Sequence, residues 1–231
     1  MTIGNELVSG DVANTNGSWL AARLERIGVD VGLVAAIPDV VDSIALFVRE
    51  QAAGYSIVLV TGGLGGTPDD VTREAVAAAF GVGQAQDAAQ AERILQRFAG
   101  RNTEYALRWA QLPIGSRGID NPLGGAPGFA IENVYVLPGL PAEMKAMFDV
   151  IVDELVGAAP IVSWRRLYKT TESRIVDVLE EMATRHPRVS VGSYPSFEPE
   201  RTVEVVVKSH DPAALEAARA WIEPALDEAI G

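Results

Sequence analysis

No cysteine occurs in this sequence. Its absence excludes disulfides, thiolate metal sites and a cysteine nucleophile. Histidine is almost as scarce: His186 and His210 are the only two, both in the C-terminal quarter. A histidine-bound metal or a serine–histidine–aspartate triad is therefore not expected. No apolar run approaches the roughly 20 residues that span a bilayer. No signal peptide opens the chain, so a soluble cytoplasmic protein with no membrane partner is expected. Basic residues are in deficit: 19 Lys and Arg face 31 Asp and Glu, a formal net charge of −12. Long-range attraction to nucleic acid is disfavoured at that charge. A phosphate-bearing ligand would need local neutralisation by backbone N–H groups, a basic side chain or a cation. What the chain has in quantity is apolar residues, 48% of 231. That suffices for one larger domain and a small one.

Periodicity organises the first part as alternating strands and helices. Trp19, Leu20, Leu24 and Ile27 keep helical spacing from Ser18 to Ile27, and Gly28 stops that helix. Val29 to Ile37 reads as extended. Asp39 reads as the opening of a helix to Ala53, with Val40, Ile44, Phe47 and Val48 on one face. Ile57 to Thr61 is a short buried strand, and Val71 to Phe80 a helix closed by Gly81. Alternation of this kind argues for a mostly parallel sheet with helices on both faces. Gln86 to Gly100 and Asn102 to Gln111 read as further helices. Ile114 to Phe129, rich in Gly and Pro, reads as a long loop. Asn133 to Leu137 is a strand and Pro141 to Val156 a helix. The composition breaks at Gly157 to Pro160, a candidate linker. Beyond it the pattern is β–α–β–β–α, over 162–169, 172–184, 189–194, 202–208 and 212–229. The expected organisation is thus an α/β domain over 1–157 and a small α+β module over 161–231.

Between the Ile57 strand and the Val71 helix lies Thr61-Gly62-Gly63-Leu64-Gly65-Gly66-Thr67-Pro68-Asp69-Asp70. Glycines let backbone N–H groups approach a ligand closely, and a helix N-terminus favours an anion. Two adjacent carboxylates suit a divalent cation bridging protein and phosphate. Capping accounts equally well for the same residues, with Thr67 as cap, Pro68 in the first helical position and acids in the first turn. No Gly-Lys-Ser/Thr ends the loop and no G-x-G-x-x-G occurs in it, so neither common nucleotide fingerprint is present.

The stretch TGGLGGTPDDVTREAVA resembles the TGGLGPTxDDxTxEAVA signature of the CinA (competence/damage-inducible protein) N-terminal domain, within the molybdopterin-binding fold of the MoaB, MogA and MoeA families. Three further segments match in the same order. Ile3-Gly4-Asn5-Glu6-Leu7 with Ser9-Gly10 and Thr15-Asn16 resembles IGDELLSG…DTN. Asn121 to Gly128 resembles NPxGxAPG, and Leu137 to Met144 resembles LPGxPxEM. The tail resembles the KH-like segment of CinA proteins, without a GXXG loop for nucleic acid.

The resemblance implies a cleft lined by Ser9, Asn16, Thr61, Gly62, Gly63, Gly65, Thr67, Asn121 and Gly139. A phosphate-bearing small molecule, nucleotide or pterin, is the implied ligand, and a homo-oligomer is the implied assembly. The implied activity is metal-dependent hydrolysis of ADP-ribose-like diphosphates. Glu6, Asp69 and Asp70 would hold Mg²⁺ or another divalent metal, and Asp69, Asp70 and Glu74 would be catalytic. Amides of Gly62 to Gly65 would hold the diphosphate, and Lys145 is a further candidate to approach a phosphate. Two other readings stand beside it: a molybdopterin-binding protein of molybdenum cofactor biosynthesis, and a non-catalytic nucleotide-binding module. The pattern is departed from at Asn5 and Asn14, where the family has aspartates, and at Gly66, where it has proline. Gly66 is expected to loosen the loop.

Overall fold

The structure, a computed structural model, describes residues 1–98, 103–155, 157 and 159–231. In chain order the elements are β1 (Thr2–Ile3), α1 (Asn5–Ser9), α2 (Thr15–Arg26), β2 (Ala36–Ile37), α3 (Val41–Gly54), β3 (Val58–Thr61), α4 (Thr72–Ala79), β4 (Gln84–Gln86), α5 (Ala88–Phe98), α6 (Thr103–Leu107), β5 (Gln111–Pro113), β6 (Arg117–Ile119), β7 (Gly128–Ile131), β8 (Val134–Leu137), α7 (Pro141–Leu155), β9 (Val162–Tyr168), α8 (Glu172–Arg185), β10 (Ser190–Ser196), β11 (Thr202–Ser209) and α9 (Pro212–Ile230). They fall into two compact units, Met1–Ala22 with Val31–Leu155, and Arg23–Asp30 with Val156–Gly231.

In the first unit one sheet runs β2-β1-β3-β8-β7-β6. β2, β1, β3 and β8 are parallel, while β7 and β6 each run antiparallel to the neighbour before them. Parallel neighbours need crossovers, and α2 and α3 supply two of them. Val58, Val60, Val134 and Val136 share one face, where they bury Ile44 and Val48 of α3 and Ala75 and Val76 of α4. On α7, Met144, Met147, Phe148 and Ile151 are fully buried. Met147 reaches the backbone of Gly128 in β7, and Trp19 of α2 meets Phe148 edge-on at 5.5 Å. Each such side chain contributes about 1.5–3 kcal/mol by leaving water. Register places Thr2 beside Thr61, Ile3 beside Ile37 and Thr61 beside Leu137. The four parallel strands therefore end at one level.

The second unit carries an antiparallel sheet in the order β10-β11-β9. Val203, Val205 and Val207 alternate inward from β11 onto Ile175 and Met182 of α8 and Ala218, Ile222 and Leu226 of α9. Asp211 caps α9 by accepting from the Ala213 amide at 2.9 Å, with Pro212 in the first turn. The β–α–β–β–α order read from the sequence is the order found.

Several local expectations are corrected. The extended stretch from Val29 yields only two strand residues, Ala36–Ile37. Asp39 does not open α3, which starts at Val41 with no side-chain cap. Thr67 does not cap α4 either, since that helix starts at Thr72 behind Val71. The Ile114–Phe129 loop contains β6 and the first residues of β7, paired as Arg117 with Ala130 and Ile119 with Gly128. The α-helix expected to run to Gln111 ends at Leu107 and continues as a 3-10 turn over Arg108–Ala110, and Gln111–Pro113 pairs with Gln84–Gln86. The expected ends Gly100, Asn102 and Val156, and residue 158 of the candidate linker, lie outside the described residues.

Candidate functional site

Four connections leave the aligned strand ends: 4–10 after β1, which contains α1, 38–40 after β2, 62–71 after β3 and 138–140 after β8. Ligands of open parallel sheets bind in the crevice beyond such ends. The loop after β3 is seated by glycine. Gly62 has φ +110°, and a Cβ there would overlap the Ile3 carbonyl; Gly63 has φ +66°, and a Cβ there would overlap the Thr72 hydroxyl. Hydroxyls then tie the turns together. Thr61 Oγ1 donates to the Pro138 carbonyl at 2.6 Å, and Thr72 Oγ1 to the Gly62 carbonyl at 2.8 Å, both buried. Asn16 Nδ2 donates to the Gly139 carbonyl at 2.7 Å. Thr61, Gly62, Asn16 and Gly139 thus lie together at the ends of β3 and β8.

Inside the loop, Asp70 is a clasp. Its Oδ1 accepts from the Gly65 amide at 2.8 Å, and its Oδ2 accepts from the Thr67 amide at 2.9 Å and from the Thr67 hydroxyl. Arg73, 6% exposed, donates to the Leu64 and Gly65 carbonyls at 2.6 Å each. Burial pushes its guanidinium below the usual arginine range, and the charge of Asp70 opposes that. The Gly62 amide serves the Leu137 carbonyl at 3.1 Å. Of the four amides expected to hold a diphosphate, Gly62 and Gly65 are therefore engaged within the protein. Among the described residues the amides of Gly63, Leu64 and Gly66 have no internal acceptor. Gly66 packs closely against Tyr105. The Tyr105 ring occupies the space where its Cβ would stand, 2.6 Å from Cε2.

Carboxylates gather at the same level. The Asn5 amide donates to Asp39 Oδ2 at 2.8 Å, and the Asp39 amide to Asn5 Oδ1 at 3.3 Å. This reciprocal pair clips the β1 loop to the β2 loop. Burial pushes the Asp39 carboxyl up, its bond to Asn5 pulls it down, and the nearby charges of Glu6, Asp69 and Asp70 raise it further. Four carboxylates therefore share one field. Sequence reasoning missed Asp39 because it reads as a helix start. Glu6 folds back over Gly4, its Oε1 2.5 Å from where a Cβ would be. Asp69 is exposed, and hydrogen bonding to Thr67 and to its own backbone holds it below the usual range. The Thr67 hydroxyl also donates to Asp70 Oδ2. Among the described residues no three His, Cys, Asp or Glu side chains are already arranged around a metal position. Mg²⁺ commonly takes only one or two carboxylates, with waters and phosphate oxygens completing the shell. Hard oxygen donors beside free amides fit that requirement.

The two asparagines that replace family aspartates have structural partners. Asn5 holds Asp39, as above. Asn14 Oδ1 accepts from the Gly17 amide at 2.9 Å, which caps α2, and its Nδ2 donates to Thr2 Oγ1 at 2.8 Å. Other candidates are engaged locally. Ser9 Oγ contacts Asp11 Oδ2 at 2.6 Å, within its own turn. Asn121 Nδ2 donates to the Ala126 carbonyl at 3.0 Å and to Glu143 Oε2 at 2.9 Å, and its Oδ1 accepts from the Leu123 amide. Lys145 lies over the Trp19 ring, 5.5 Å from its centroid. Glu74 is exposed on α4, and Asp70 precedes that helix, so helical spacing does not put them on a common face.

Residues 1–158 match the family described as probable molybdopterin binding domain, and residues 163–230 match the middle domain of FAD synthase. A crystal structure of the protein CinA from Thermoplasma acidophilum, described as of unknown function, superposes with a TM-score of 0.64. It is 31% identical and covers 67% of this chain and 95% of its own. The chain belongs to the CinA-like proteins with a molybdopterin-binding fold. Its CinA-like relatives in Frankia casuarinae and Myxococcus xanthus are 33% and 34% identical over 100% and 99% of this chain. The chain spans 58% of the length of each. A protein of Archaeoglobus fulgidus is 38% identical, with 84% of both chains covered. No helix of the described residues is long and apolar enough to cross a membrane.

Proposed function

We propose that this CinA-like protein hydrolyses the diphosphate of ADP-ribose-like nucleotides with a divalent cation. The observation that carries the reading is the shared field of Glu6, Asp39, Asp69 and Asp70 beside the free amides of Gly63, Leu64 and Gly66. Arg73 offsets Asp70, but Glu6, Asp39 and Asp69 are like charges at one strand-end level, and a phosphate beside them needs the same counter-charge. When bound, the cation would neutralise the phosphates and acidify a coordinated water. Glu6 and Asp69 would hold it, with waters and phosphate oxygens completing the shell. The free amides would orient the diphosphate, and the Asp70–Arg73 clasp would keep those amides in place. Water would replace the bridging oxygen at one phosphorus, giving AMP and ribose 5-phosphate. Asp39, whose carboxyl is pushed up, would take the proton of that water. Glu74 has no role in this scheme.

The test is incubation with ADP-ribose or FAD and Mg²⁺, Mn²⁺ or Co²⁺, with nucleotide products separated and quantified. Metal-dependent AMP supports the proposal. A second reading, molybdopterin binding, is favoured by the family match over 1–158. It would use the same free amides for the pterin phosphate. A pterin fluorescence signal after oxidation of the purified protein, with no AMP formed, would replace the first reading by the second. Nucleotide binding without product or pterin would leave a non-catalytic module.

A further inference from the structure

A cavity of about 550 Å³ lies between α5 and the 120–127 loop, lined among others by Gln90, Arg93, Arg97, Asp120 and Asn121. Arg93 and Arg97 stand one helical turn apart on α5, so their side chains share a face. Their positions are fixed by the loop. Arg97 donates to the Leu123 carbonyl at 2.6 Å. Its guanidinium lies across Gly124, which has φ +75° and where any Cβ would overlap it. Arg93 pairs with Asp120, which also accepts from Gln90 Nε2 at 2.8 Å. Gln90 is buried. Two guanidinium groups and one carboxylate, Asp120, thus line the cavity. The result is a positive spot in a chain of net charge −12.

A guanidinium has five N–H donors. The contacts described use one from Arg97 and one from Arg93. The remaining donors face no second carboxylate among the cavity's lining residues. Planar, fixed donors of this kind suit a phosphoryl oxygen pair. The Glu143 carboxylate lies beside Gly125 and is held by Asn121 Nδ2 at 2.9 Å.

We infer that this cavity is a phosphoryl-binding site in which Arg97 is the principal donor and Arg93 the second. It needs no metal and does not depend on hydrolysis at the strand ends. Its ligand is either free phosphate or the phosphate of a nucleotide.

The test is an amide-shift titration of the full chain in EDTA, with inorganic phosphate, AMP and adenosine in separate arms. Phosphate and AMP are expected to move the Gly124 and Gly125 amides, and adenosine to leave them in place. Movement with AMP alone would assign the site to nucleotides. Movement with both would assign it to the phosphoryl group. Arg97→Met should weaken the response about tenfold, the loss of one charge-assisted bond. Arg97→Lys, which keeps the charge, should recover part of it. A preserved spectrum elsewhere in each variant shows that the fold is intact. Gly124 and Gly125 amides that stay still, or that move equally in Arg97→Met, would overturn the inference and leave the arginines as loop clamps only. Because no metal or turnover enters, failure of the hydrolase proposal would not change this result.

Discussion

Asp70→Ala removes the acceptor for three hydrogen bonds that hold the glycine loop: the Gly65 amide, the Thr67 amide and the Thr67 hydroxyl. A bond to a charged acceptor contributes about 1.5–3 kcal/mol. Asp70 is half-buried and the freed amides can bond water, so the local cost is about 2–3 kcal/mol rather than the full sum. If the loop exchanges by local opening, that cost speeds exchange of the Gly65 and Thr67 amides about 30- to 150-fold. Asp70→Asn should fall between, because its oxygen can still accept while its nitrogen cannot. The assay is hydrogen exchange read residue by residue, with the Val60 and Val136 amides as references. Unchanged protection of Gly65 and Thr67 in Asp70→Ala would refute the clasp. The result also decides how loss of turnover in that variant is interpreted. A loosened loop would itself impair binding, so Asp39 and Asp69 are the cleaner probes of the chemistry.

Three further outcomes are expected. Gly66→Pro should destabilise the first unit by about 1–3 kcal/mol, since the new ring meets Tyr105; chemical denaturation should show the loss, and Tyr105→Ala should relieve it. Thr61→Val leaves the buried Pro138 carbonyl without its donor and should lower stability by about 1–3 kcal/mol in the same assay. His210 bonds two acceptors, the Ala159 carbonyl at 2.7 Å through Nδ1 and Asp30 Oδ1 at 3.1 Å through Nε2. Serving both requires the doubly protonated ring, and its pKa is raised, first by the carbonyl and then by Asp30. The stabilisation is therefore full below about 6.5 and is lost as pH rises through the higher folded value. Melting curves of His210→Ala and the parent should differ at pH 5.5 and converge at alkaline pH.

The second unit was legible in the sequence because each element carries its own period. Val203, Val205 and Val207 alternate, and Ile175, Val178, Leu179 and Met182 recur at helical spacing. The parallel strands were legible as apolar runs flanked by glycine. The β6–β7 pair was hidden because Arg117-Gly118-Ile119 is too short to show a period, and glycine and proline fill the stretch before Gly128. β2 was overextended for the opposite reason: Val31 to Val34 is mostly apolar, but among the described residues no neighbouring strand pairs with it.

Within the site, the four motifs located the loops, whereas side-chain partners across them could not be read. Asp39 meets Asn5 across 34 positions, and its acid followed by apolar helix residues looks like capping chemistry. Gly66 and Tyr105 are likewise an exchange between distant positions. Asn14 looked like a lost carboxylate and is a helix cap. Thr67 and Pro68 looked like a cap and belong to a separate turn held by Asp70.

The central claim is that carboxylates converging on the strand ends support metal-dependent diphosphate hydrolysis. The direct measurement is AMP released from ADP-ribose with Mg²⁺ by the parent chain, Asp39→Asn and Asp69→Asn, each verified as folded by its amide spectrum. Metal-dependent AMP from the parent, reduced about tenfold to a hundredfold in each variant, is the predicted result. No AMP from the parent with any divalent metal, or equal rates in both variants, would contradict it.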